Sequence, residues 1–96
     1  MKPKSTNQQI NLPRWLAERA ARQSVLMQLD IPLVAEGEQQ IAQNVLFRAG
    51  YLVALEDVAV ALGWHELADN IRHLAEERKQ QWDEAVVRCN QLSQSH

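Results

Sequence analysis

The stretch richest in chemical groups is His65-Glu66-Leu67-Ala68-Asp69-Asn70-Ile71-Arg72-His73. On a helix, His65, Asp69 and His73 fall at i, i+4 and i+8 and project from one face. The His65–Asp69 and Asp69–His73 pairs each have helical metal-ligand spacing, and Glu66 stands where the general base of a helical zinc site would stand. Two features weigh against a metal. The residue four after His65 is Asp69, where that site needs a second His, and His73 lies about 12 Å along the axis from His65. A water-facing side of the helix accounts for the same residues. Cys89 falls on an apolar helical stripe and reads as packing, not as a nucleophile. Gly37, Gly50 and Gly63 are isolated, so there is no glycine-rich phosphate loop. The chain is expected to be non-enzymatic, with no catalytic residue, metal or cofactor.

Val58-Ala59-Val60-Ala61-Leu62-Gly63-Trp64 resembles the first half of a helix-turn-helix motif, with a small Ala59 four residues before a turn glycine and apolar Trp64 after it. The resemblance lies within 55–74, covers about ten residues, and implies a small dimeric DNA-binding regulator. In that family apolar residues recur six and nine positions after the glycine. Here those positions hold Asp69 and Arg72. The segment matching the recognition helix presents Glu66 and Asp69, which phosphates repel. A helical hairpin turned by Gly63 is the stronger account, and DNA binding is the alternative.

Charge is unevenly spread. Residues 1–22 carry a net +4, 23–70 a net −6, and 71–96 balance to zero. Arg14, Arg19 and Arg22 are therefore candidate basic contacts for an acidic partner or for the chain's own acidic middle. Glu56-Asp57 interrupt an apolar helix, and Arg19 or Arg22 is expected to reach them. A pI near 5.9 argues against a general nucleic-acid binder. A lone cysteine permits no intrachain disulfide and fits a reducing, cytoplasmic setting. Polar Ser5-Thr6-Asn7-Gln8-Gln9 stands where a signal peptide needs an apolar run, and Val45–Leu62 is interrupted by Arg48, Glu56 and Asp57, so no membrane partner is expected.

Ninety-six residues suffice for one small domain. An apolar fraction of 46%, mostly Ala, Leu and Val with few aromatics, favours helices over sheets. The expected architecture is all-α, with three principal helices built on a long antiparallel αα-hairpin in a small bundle that oligomerises. Residues 1–10 read as a flexible arm, 11–92 as a single domain, and 93–96 as a frayed end.

The first helix starts after Asn11, a good N-cap, with Pro13 in its first turn. Its stripe is Leu12, Trp15, Leu16, Ala20 and Met27. Asp30-Ile31-Pro32 is expected to end it, because a residue before proline is pushed out of the α region. The second helix spans Glu38 to Leu62, after a break at Gly37. Its first stripe is Ile41, Val45, Leu52, Leu55, Ala59 and Leu62; its second is Phe47, Tyr51, Ala54 and Val58. An apolar surface this wide predicts burial on several sides. Gly50 predicts a close helix–helix approach. After the C′ residue Gly63, the third helix runs from His65 to Leu92 on a stripe of Trp64, Leu67, Ile71, Ala75, Trp82, Val86 and Cys89.

The second helix carries more apolar surface than two neighbours can cover. The expected function is therefore protein–protein interaction, as an assembly component, adaptor or inhibitor, of a kind common among small bacterial and phage proteins. The chain would bind itself or a larger complex through Phe47, Tyr51, Leu55, Val58 and Trp82. Trp82 is compatible with either core or interface.

Overall fold

A computed structural model describes residues 10–94. It contains three helices, α1 (Leu12–Val34), α2 (Gln39–Ala61) and α3 (His65–Gln94), and no strand among the described residues. The all-α expectation holds, and each helix packs against both others.

Local signals set most boundaries. Asn11 Oδ1 accepts a hydrogen bond from the Arg14 amide at 3.2 Å, and Pro13 occupies the first turn of α1, where a missing N–H leaves nothing unpaired. Between α1 and α2 the backbone turns at Gly37, whose φ of +86° suits glycine. Gly63 ends α2 with φ +80°. Its amide donates to the Val60 carbonyl at 3.0 Å, and the Trp64 amide donates to Ala59 at 2.9 Å, the paired bonds of a Schellman turn.

Pro32 does not end α1, contrary to expectation: the helix continues through it to Val34. A proline inside a helix leaves the carbonyl four residues earlier without its donor. That carbonyl belongs to Gln28, and the Gln81 side-chain amide of α3 donates to it at 3.4 Å. Burial of Ile31, Val34 and Ala35 in the core holds the last turn in place. At the other end of the chain, α3 runs beyond Leu92 to Gln94; of the end read as frayed, Ser93 and Gln94 are helical and 95–96 lie outside the described residues. The segment read as an arm lies outside the described residues except for Ile10.

Leu16, Ile31, Val45, Leu52 and Ile71 are the largest fully buried side chains, one or more from each helix. Ala20, Ala59, Ala68 and Ala85 lie between them and let the helices approach. Trp64, Leu67, Leu74 and Trp82 pack against this core while only partly covered. Trp15 and Leu12, expected in the α1 stripe, lie at the surface, and the Arg19 guanidinium sits 4.9 Å from the Trp15 ring centroid.

Gly50 marks no close contact among the described residues. A Cβ added there would meet nothing within 4 Å. The two glycines therefore respond oppositely to alanine in dilute solution, where the chain is examined alone. Gly63→Ala forces a left-handed residue to carry a Cβ and is expected to cost about 1–2 kcal/mol. Gly50→Ala improves an exposed helix interior and is expected to add up to about 1 kcal/mol. Urea unfolding followed by circular dichroism measures both; equal signs would contradict the turn and helix assignments.

Candidate functional site

The helix α2 is not buried on several sides. Val45, Leu52, Leu55 and Ala59 face the core, and Ile41 and Tyr51 are half-buried. Around the rest of the circumference, Leu46 is 56% exposed, Phe47 76% and Val53 52%, and Val58, Val60 and Leu62 are exposed as well. Gly50, Ala54 and Ala61 lie among them, also exposed. Asp57 is an exposed charged residue of this outward arc, with no ion pair within 4 Å among the described residues.

Of the residues expected at an interface, Phe47 and Val58 lie on the open surface, and Tyr51 stands at its border with the core. Leu55 is placed differently. It is 5% exposed and packs inward, so in the folded chain its contacts are internal. Trp82 is half-buried against the core and lines a groove between α2 and α3. Leu46, Val53, Met27 and Ala75 line the same groove, with Arg78, Lys79 and Asp83 among its polar residues; its volume is about 380 Å³. The groove opens onto the outward arc through Leu46 and Val53.

The basic residues of α1 do not meet Glu56-Asp57. Arg14 pairs with Glu18 one turn on, at 3.0 Å, both exposed. Arg19 is drawn to Trp15, and Arg22 stays at the surface. Glu56 instead pairs with Arg72 of α3 at 3.6 Å. One helix crossing does carry an arginine inward: Arg48 Nη1 donates to the buried Gln23 side chain at 2.8 Å, joining α2 to α1. Gln23 falls on the stripe of Leu16, Ala20 and Met27, three residues after Ala20 and four before Met27, but counting apolar residues passes over it because it is polar.

The cluster of possible metal ligands is engaged otherwise. Asp69 pairs with Arg72, and His73 Nδ1 lies 2.8 Å from the Asp69 carbonyl. Among the described residues no three His, Cys, Asp or Glu side chains converge in a metal-binding group. Cys89 is a free, half-buried thiol. The segment resembling a helix-turn-helix folds as the Schellman turn at Gly63, followed by exposed His65, Glu66 and Asp69. From there α3 stays beside α2, with Arg72 at Glu56 and the groove further along.

Sequence reasoning missed Leu46, Val53 and Val60 as surface groups, although their seven-residue spacing places them in one row along α2. It also missed a smaller exposed row on α1, Val25, Leu29 and Leu33 at four-residue steps. No described helix is long and apolar enough to cross a membrane. No family model matches the chain, and neither the curated proteins nor the solved structures compared with it include a match.

Proposed function

We propose that this chain is a non-enzymatic protein–protein interaction protein, an assembly component, adaptor or inhibitor, that docks through the outward arc of α2. In this reading α2 and α3 form an antiparallel hairpin, α1 packs across it, and the protein works in the cytoplasm. One observation carries the proposal: the helix that supplies Leu52 and Val45 to the core also holds Leu46, Phe47, Val53, Val58 and Val60 in solvent. Single exposed apolar residues are ordinary, but a row of Leu46, Val53 and Val60 with Phe47 and Val58 across a strip of small residues on the same helix supports an interaction surface. The DNA-binding alternative has weaker support, because exposed Glu66 and Asp69 repel phosphates and Arg14 is already paired with Glu18.

Thiol protection in living cells tests the proposal. Ala54→Cys, in a Cys89→Ser background, places one thiol in the middle of the outward arc with little change in volume. Gln80→Cys, on the exposed surface of α3, serves as the control. The cysteine at 54 is expected to react with a membrane-permeant maleimide at least about tenfold more slowly than the control while the face is covered, and comparably once the purified protein is diluted. Equal rates in cells would contradict a docked face.

A further inference from the structure

The outward arc of α2 is large enough, and patterned in such a way, to name its occupant. We infer that it docks against the same arc of a second copy of this chain, with the two α2 helices antiparallel about a two-fold axis between Gly50 and Ala54. This rests on the interaction reading above and specifies the partner. The five exposed side chains Leu46, Phe47, Val53, Val58 and Val60 present on the order of 500 Å² of apolar surface, the upper part of the range for the largest patch on a monomer. Exposed Gly50, Ala54, Asp57 and Ala61 extend the face toward the roughly 800 Å² per partner that a stable protein interface buries.

The sequence of the face is self-complementary in one direction only. With the axis between Gly50 and Ala54, Phe47 of one copy comes to the level of Asp57 of the other, and Gly50 to the level of Ala54. The Phe47 ring then enters the space edged by Ala54, Asp57, Val58 and Ala61 of the second copy, the i, i+3, i+4, i+7 hole that receives a knob between helices. Small residues at 50, 54 and 61 let the backbones approach, which gives Gly50 the packing partner it lacks within its own chain.

Charge agrees with this direction. A parallel pair would set Asp57 against Asp57. The antiparallel pair separates the two carboxylates by about 15 Å along the axis. The same rotation keeps each edge of the face against itself, so Asp57 lies over the Leu46–Val53 edge of the second copy. Lys79 lines the groove on that edge but is paired with Asp83 of its own helix at 3.0 Å, so the direction rests on keeping the two Asp57 carboxylates apart.

Cross-linking of purified full-length protein in the Cys89→Ser background tests the arrangement. Phe47→Cys and Asp57→Cys variants are treated with a short bis-maleimide, singly and mixed. The mixture is expected to form covalent dimers at least about tenfold faster than either variant alone. Gly50→Cys mixed with Ala54→Cys provides a second pair at matching levels, so loss of the Phe47 side chain does not decide the result. Faster cross-linking of Phe47→Cys alone would mean a parallel pair and overturn the inference. No cross-linking in either mixture, with the unsubstituted protein at the 11.0 kDa monomer mass, would overturn it too. In that event, continued protection of the cysteine at 54 in cells would leave the docking proposal standing with a different partner, whereas lost protection would end both.

Discussion

Replacing Leu52 by alanine is expected to cost 2–5 kcal/mol, while the same change at the next residue, Val53, costs under about 1 kcal/mol. Leu52 is wholly buried and Val53 is 52% exposed, although they are neighbours in sequence and nearly equal in hydrophobicity. The leucine side chain loses its burial and leaves a cavity that fixed helices fill only in part. The valine loses surface that water already reached. A domain of this size has a total stability of about 5–15 kcal/mol, so Leu52→Ala removes a large part of it. Urea unfolding at a concentration low enough to keep the chain monomeric measures the pair. Equal losses would contradict the assignment of an inner and an outer face to α2.

The second large effect is on association. Phe47→Asp combined with Val53→Asp is expected to leave the helical content of the dilute chain intact and to weaken its assembly by at least about 100-fold. Neither side chain supports the core, so folding has little reason to fail. In an assembled face the carboxylate at 47 would be buried against apolar neighbours, and the one at 53 would replace an apolar contact on the edge expected to face Asp57 of a second copy, penalties added to the lost packing of an aromatic anchor. Sedimentation equilibrium gives the association constants, and circular dichroism confirms the fold. A variant that associates as strongly as the unsubstituted chain would show that these residues lie outside any contact.

Helix ends were legible where one residue carries the signal. Asn11 with Pro13, Gly37 and Gly63 act through their own backbone and side-chain preferences, and all four stand where those preferences put them. Pro32 was misread because its effect is local but its compensation is not. The carbonyl it frees is met by Gln81, from another helix, and the flanking Ile31 and Val34 are held by the core. The partner of Glu56 was misassigned for a related reason: net charge along the sequence points to α1, while α3 brings Arg72 alongside.

The candidate site was half legible. Periodicity identified α2 as apolar around most of its circumference, but it cannot say which arc has neighbours. Among the described residues α1 and α3 are its neighbours; the side bearing Leu55 is enclosed and the side bearing Leu46, Phe47 and Val53 is exposed. Gly50 was recognised as a cost needing a reason, and no neighbour among the described residues supplies one.

The most direct measurement of the central claim is the size of the native species in freshly prepared lysate, for the unsubstituted chain and for Phe47→Asp run side by side. Phe47 is 76% exposed, so a folded monomer has no use for its ring. The unsubstituted chain is expected to elute well above the 11.0 kDa of one copy, and the variant to shift to the monomer position while keeping its helical signal. Two profiles that coincide, whether both at the monomer position or both in the same larger species, would contradict a docking role for the outward face of α2.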